Sequence, residues 1–308
     1  MKRLIFLLKF IWVAAMLLAL SWYMRTHWVS FIEYGRGLGP MAVLLALSFL
    51  VLAKFALAQS TVEALRVFGV RVGFWKAFRI YTVSQLGKYI PGSIWHFVGR
   101  VLLYRAEGLP AHKGTKVVIV ENYWLIVSAI FFGAAACAGE VLSLVGWRGR
   151  LSFLELCAIS GTIALLWFLA LFWGTRLFAQ RFGGFDTSVI RIYIIEVFIW
   201  IMIGMSFWII LPDDQRTLSN FPLAVGAFAL GWAGGFLVPI APAGIGIREV
   251  IVVALIVHVM PTSMLVAAVT LNRLLYTVTD LTLGTFSGAL YNLNAYPPEI
   301  SESSRDCI

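Results

Sequence analysis

Two stretches interrupt an otherwise apolar chain in the same way: Gly87-Lys-Tyr-Ile-Pro91-Gly-Ser-Ile-Trp95-His-Phe-Val-Gly-Arg100 and Gly235-Phe-Leu-Val-Pro239-Ile-Ala-Pro242-Ala-Gly244-Ile-Gly246-Ile-Arg248. Both read G-x3-P-x8-R, and Gly235, Pro239 and Arg248 each stand 148 positions after Gly87, Pro91 and Arg100. Carried outward, the same shift lays the apolar run 4–24 on 152–172, 41–58 on 189–206 and 117–137 on 265–285, each of them apolar again. One offset shared by motif and hydropathy marks an internal repeat. Each half therefore reads helix, helix, interrupted segment, helix.

The runs at 4–24, 41–58, 117–137, 151–172, 190–211 and 264–290 can each cross a hydrocarbon core of roughly 30 Å at 1.5 Å per residue. Composition agrees: the 308 residues are 61% hydrophobic and 13% charged, with mean hydropathy +0.90, which excludes a soluble domain. Met1-Lys2-Arg3 resembles the basic start of a signal peptide, but the run behind it is about twice a normal signal core and has a repeat partner, so it reads as the first span.

Three spans per half is an odd number, so the second half must enter the membrane from the opposite side and the repeats are inverted. The interrupted segments, 76–105 and 222–260, read as re-entrant hairpins turning at their Pro/Gly tips, the first from the cytoplasm and the second from outside. Eight full crossings are the alternative. The expected fold is an all-α integral membrane protein of about six spanning helices plus two re-entrant helical hairpins. Residues 1–291 form one transmembrane domain of inverted repeats 1–143 and 149–291, followed by a flexible polar tail at 292–308. With the N-terminus inside, fifteen Lys and Arg fall on the inner side and six on the outer, which predicts a multi-pass protein of the inner (cytoplasmic) membrane with both termini cytoplasmic. The net charge of +9 is then a topology signal and an attraction to anionic head groups, not a nucleic-acid footprint.

Cys137, Cys157 and Cys307 have no metal spacing, the four histidines include no HxxxH pair, and neither GxSxG nor a Walker sequence occurs, so no enzyme, metal or cofactor is expected. What remains is charge inside apolar sequence. A lone Asp, Lys or Arg at mid-membrane costs about 2.5–3.5 kcal/mol on insertion scales, so such groups should be paired. Glu121, beside Asn122, is expected to pair with Arg273, beside Asn272, across the pseudo-twofold axis; Asp280 lies further along the face of Arg273, and Glu249 competes for either neighbouring arginine. That bridge has a purely structural alternative. Arg100 and Arg248 occupy equivalent places on the outgoing hairpin arms, whose helix N-termini attract anions, and guanidinium there can grip phosphate bidentately. Snorkelling to the interface is the other reading for both, and for Lys88. Lys54 and Glu196 read as snorkelling, Trp22, Trp28, Trp147 and Trp173 as an interfacial belt, and Trp95 as a packing residue or a rest for a lipid stem.

Lys88-Tyr89-Ile90-Pro91-Gly92 with Trp95 and Arg100, Glu121, Pro242-Ala243-Gly244-Ile245-Gly246-Ile247-Arg248-Glu249 and Arg273 give the chain a resemblance to the lysylphosphatidylglycerol synthase transmembrane family. This is the flippase-like domain also found in multiple peptide resistance proteins. Ala243 departs from a commoner glycine. The resemblance covers nearly the whole chain and implies a lipid translocase. In the best-known relatives the cargo is an aminoacylated phosphatidylglycerol made by a fused cytosolic domain. Without such a domain in its 308 residues, this chain is expected to take its lipid from a separate lipid-modifying enzyme or glycosyltransferase. The Lys-Tyr-x-Pro-Gly variant resembles stand-alone members and implies a polyprenyl-phosphate sugar as cargo. The candidate transport residues are Lys88, Pro91, Gly92, Trp95, Arg100, Glu121, Pro239, Pro242, Gly244, Gly246, Arg248, Glu249, Asn272 and Arg273. An ion-coupled carrier of a small soluble anion, which should enclose its site, and a non-transporting scaffold, which should tolerate loss of Arg100 and Arg248, are the competing classes.

Overall fold

Backbone in lipid must satisfy its own polar groups, and the computed structural model of the chain is helical throughout its ordered elements, with no strand among the described residues. Those residues are 18, 21–22, 25–90, 94–144, 152–178, 187–238, 244 and 246–294. The expected span at 4–24 falls almost wholly outside them, as do the tail beyond 294 and four candidate site residues, Pro91, Gly92, Pro239 and Pro242.

The first half holds α1 (Trp28–Gly37), α2 (Pro40–Val67), α3 (Phe74–Gln85) with a 3-10 turn at Leu86–Tyr89, α4 (Trp95–Ala106), α5 (Ala111–Ala136) and α6 (Ala138–Leu144). The second holds α7 (Phe153–Phe178), α8 (Thr187–Trp208), α9 (Asn220–Leu237), α10 (Ile247–Ile256) and α11 (Thr262–Asn294). Pro40 stands at the start of α2, where its fixed φ suits a first turn and its missing N–H has no helical partner to lose.

Among the described residues six helices are long and apolar enough to span: Pro40–Val67, Ala111–Ala136, Leu154–Leu177, Val189–Trp208, Asn220–Leu237 and Thr262–Ala289. Five coincide with runs read from the sequence. The sixth, α9, is the first arm of the second interrupted segment, which its glycines made look too broken for a clean helix. Those glycines are packing devices instead. A Cβ on Gly231 would meet Val252 Cγ2 at 2.7 Å, and one on Gly234 would meet Ile251 Cδ1 at 2.2 Å, so their absence lets α10 lie against α9.

The packing repeats under the 148-residue shift. α3 packs on α2, α4 and α11 as α9 packs on α8, α10 and α5; α4 packs on α5 as α10 packs on α11. At the centre α2 packs along its equivalent, α8, and the two run antiparallel. Glu63 meets Arg191 near one end, Ser60 meets Glu196 one turn along, and Tyr34, ahead of α2, donates to the Ile210 carbonyl beyond α8. By contrast α7 buries few of its residues and faces outward. It holds to α5 through Tyr123, which donates to the Ala170 carbonyl at 2.7 Å, and Trp124, which donates to Thr175 at 2.9 Å.

The repeat motif's glycines have a common cause. A Cβ on Gly87 would lie 2.7 Å from the His96 backbone nitrogen, and one on Gly235 would lie 3.2 Å from Gly244 Cα. His96 and Gly244 are themselves equivalent positions, so in both segments the two arms touch backbone to backbone at the same place. Gly244 and Gly246 have positive φ, +72° and +89°, which a side chain would oppose.

Candidate functional site

Between the two interrupted segments lies a cavity of about 290 Å³. Lys88, Arg100, Gly244, Arg248 and Arg273 of the candidate residues line it, together with Gln85, His96 and Asn122 and an aromatic wall of Tyr81, Tyr89, Phe97, Trp200, Trp232, Phe236 and Tyr276. Its border includes two exposed residues, Ile94 at 56% and Tyr89 at 39%. Glu121, Asn272, Gly246, Glu249 and Trp95 do not line it.

The buried charges are paired otherwise than expected. Glu121 Oε1 accepts from Arg100 at 2.5 Å and from Thr61 at 2.9 Å, so the Glu121–Arg273 bridge is replaced by Arg100–Glu121. The reason is local: α4 packs directly on α5, and Arg100 and Glu121 face each other across that contact. Arg273 instead has its Nε 3.8 Å from Glu249. Glu249 also accepts the Gly246 N–H at 2.7 Å, so a carboxylate of the chain's own already occupies the positive N-terminus of α10.

Lys54 does not snorkel. It is 1% exposed midway along α2, and its Nζ lies 2.6 Å from Asp280 Oδ1 and 3.7 Å from the Tyr276 ring centre. Asp280 Oδ2 is taken by Lys88 and by the Tyr89 hydroxyl at 3.0 Å, so one carboxylate on α11 holds two lysines and the turn of the first interrupted segment. Glu196 is fully buried too, bonded to Ser60 and Ser128. Both had looked interfacial because a linear sequence does not show that α2 and α8 are each other's neighbours. Asn272 donates to Ser206 on α8 at 3.0 Å and serves the helix contact.

Arg100 is therefore saturated: besides Glu121, its Nε donates to Ser84 at 3.0 Å and its guanidinium sits 4.6 Å from the Tyr81 ring centre. Arg248, 9% exposed, has no hydrogen bond or ion pair among the described residues, its Nε is unpartnered, and its guanidinium lies 6.0 Å from the Trp232 ring centre. His96 Nδ1, also at the cavity, is unpartnered as well. Five cations, Lys54, Lys88, Arg100, Arg248 and Arg273, face three carboxylates, Glu121, Glu249 and Asp280, at or just behind the wall. The excess is two positive charges: Lys54 and Lys88 share the single Asp280 carboxylate, and Arg248 has none.

The family model for the lysylphosphatidylglycerol synthase TM region matches residues 4–284. The chain belongs to that family. No curated protein matches it. Membership ties this multi-pass membrane protein to lipid handling, and the match spans both interrupted segments and every helix that lines the cavity. Among the residues that build the site, the sequence alone missed Lys54, Tyr81, Trp232 and Tyr276. Lys54 had a usable signal, a lysine in the middle of an apolar helix, which is a functional candidate by default. The aromatics had none, being ordinary in membrane helices.

Proposed function

We propose that the protein is a lipid translocase that carries a phosphate-bearing, anionic head group between leaflets and performs no chemistry on it. The observation that carries this reading is Arg248, an unneutralised guanidinium in an aromatic cavity bordered by exposed apolar surface. A buried cation without a counter-ion is costly, and a phosphate would both neutralise it and bond to it bidentately. A cavity of about 290 Å³ takes a head group and leaves the hydrocarbon chains outside, past Ile94 and Tyr89. That exposed border favours a membrane lipid over a soluble anion, whose carrier would close around it.

The antiparallel packing of α2 on α8 supports inverted repeats, with 76–105 and 222–260 as opposed re-entrant gates that open alternately. α3 and α4, 12 residues each and about 18 Å long, are too short to span, in keeping with a re-entrant first segment, whereas in the second the 18 residues of α9 are long enough to cross. We place the protein in the inner membrane with cytoplasmic termini and the cargo among aminoacylated phospholipids or polyprenyl-phosphate sugars, supplied by a separate lipid-modifying enzyme or glycosyltransferase.

The test is reconstitution in liposomes with a fluorescent anionic phospholipid and a zwitterionic control. The expected result is faster redistribution of the anionic probe than in empty liposomes, slowed by Arg248→Gln at equal protein content. Equal rates for protein-containing and empty liposomes would overturn the reading. Uptake of free inorganic phosphate in place of lipid would transfer it to the soluble-anion class.

A further inference from the structure

Glu196 is the one fully buried carboxyl among the described residues for which no cation comes within ion-pair distance. It lies on α8 with Ser60 Oγ 3.0 Å from its Oε1 and Ser128 Oγ 2.9 Å from its Oε2. The ionisable groups on the helices packed against it are otherwise committed or distant in kind. On α2, Lys54 goes to Asp280, while Glu63 goes to Arg66 and Arg191 on α8 itself. On α5, Glu121 goes to Arg100 and adds a second negative charge nearby. α9 has no ionisable side chain, α7 has only exposed Glu155, Cys157 and Arg176, and on α11 Arg273 lies by Glu249 and Tyr276 under Lys54.

A carboxylate in that position would be a fully buried charge with no counter-ion in reach, which is the arrangement that proteins neutralise. The bonds around Ser128 show how the neutral acid is accommodated. A hydroxyl has one proton to donate and two lone pairs to accept with. Ser128 Oγ lies 3.0 Å from the Leu125 carbonyl and accepts the Trp200 indole N–H at 2.8 Å. With its own proton on Leu125, it has one lone pair left, and a protonated Glu196 Oε2–H, 2.9 Å away, would fill it. When Glu196 ionises, the Ser128 hydroxyl turns from the Leu125 carbonyl to the carboxylate. Both states then have every proton placed.

We propose that Glu196 is a proton-binding site whose occupancy is coupled to the anion cavity, so that protons are the coupling ion of the transport cycle. The coupling half rests on the lipid-translocation reading above; the proton site itself does not. The connection is short and physical. Trp200, bonded to Ser128, forms part of the cavity wall and packs edge-on against Trp232 at 5.5 Å, and Trp232 lies beside Arg248. On the other side Ser60 adjoins Thr61, which bonds to the Glu121 that holds Arg100. Rotation of one hydroxyl at Ser128 therefore reaches a residue that touches the cargo's space.

Infrared difference spectroscopy of the full chain in nanodiscs, recorded against pH, reads the first half without any transport. A protonated-carboxyl carbonyl band should change with pH, vanish in Glu196→Gln, whose amide replaces both bonds, and move its midpoint in Ser128→Ala. Absence of that band, or a band that never changes while the protein stays folded, would overturn the proton site. The second half is read as the ratio of fluorescent anionic-lipid flux with and without a gradient of one pH unit. Wild type should show a ratio well above one, up to about tenfold for a tenfold proton ratio, and Glu196→Gln a ratio of one. An unchanged ratio in that variant would overturn the coupling. A wild type that moves no lipid at all would sink the translocase reading, whereas the infrared band would still decide the proton site.

Discussion

The two interrupted segments are one motif used twice, yet their equivalent arginines live in different chemistry. Arg100 has Ser84 and Glu121 as acceptors; at the positions 148 later stand Trp232 and Val269, which accept nothing, and Arg248 is left with an aromatic ring. The tip of the first segment is tied to α11 by Lys88 and Tyr89 on Asp280, while the second reaches α11 through the longer Glu249–Arg273 contact at 3.8 Å. Repeats fix the placement of a side chain; its neighbours decide whether the charge is spent on the fold or left for a ligand. The first arginine is held in a buried ion pair, and the second has none among the described residues.

The sharpest way to break this comparison is to neutralise each arginine separately. Arg100→Gln strands Glu121 as a buried, uncompensated charge and should cost about 3–5 kcal/mol of stability. Thermal unfolding in detergent should show a large drop, partly recovered in Arg100→Gln/Glu121→Gln. Simple addition of the two single losses would mean that the pair contributes no coupling.

Arg248→Gln should do the opposite, leaving stability unchanged or slightly raised because an unpaired buried charge is removed. Its effect falls on the cargo: loss of a charge-assisted contact of about 1.5–3 kcal/mol, read as slower flux of an anionic lipid or weaker retention of co-purified lipid. If Arg248→Gln unfolds the protein as Arg100→Gln does, the division of labour between the segments is wrong.

The arm crossings sharpen the comparison at smaller scale. Gly87→Ala drives a methyl into His96 backbone at 2.7 Å, which cannot retreat cheaply, whereas Gly235→Ala meets Gly244 at 3.2 Å and needs a shift of a few tenths of an ångström. The first should cost about 1–3 kcal/mol and the second less, by the same unfolding measurement. The reverse order would mean that the first crossing is the softer one.

Much of this fold was legible in the linear chain because hydropathy and the 148-residue offset are one-dimensional signals. Five of the six spanning helices sit where the apolar runs lie, and the shared glycines fall at the arm crossings. α9 was missed as a long helix because Gly231, Gly234 and Gly235 read as breaks when they are contact surfaces. The pairing of charges was not legible. Which acid meets Arg100 depends on how α4 rotates against α5, and Lys54 and Glu196 look interfacial until α2 and α8 are known to bury each other. Lys88, Arg100, Gly244, Arg248 and Arg273 do converge on one cavity, while Glu121, Glu249, Gly246 and Asn272 stand behind it, bonding the groups and helices that form it.

The feet of the two segments differ as their tips do, and here the expected effect is smallest. In the first, Lys76 and Arg79 on α3 hold Glu107 at the end of α4, at 2.6 and 2.5 Å; the equivalent positions are Ala224, Ala227 and Leu255, all buried and apolar. The hydrogen bond from Lys76, assisted by Arg79, holds the Glu107 carboxyl below its ordinary value. A depressed carboxyl contributes stability that is present above the unfolded glutamate range and lost as pH falls through the lowered value. Acidification through that window should therefore loosen α3 and α4 at their feet and leave α9 and α10 unaffected. Because the clamp is open to solvent, the contribution should stay within about 0–1 kcal/mol and shrink with added salt. Hydrogen exchange of the two segments, followed against pH in wild type and Glu107→Gln, reads it directly. The variant should lose the pH dependence of the first segment; equal responses from both segments would place the titrating group elsewhere.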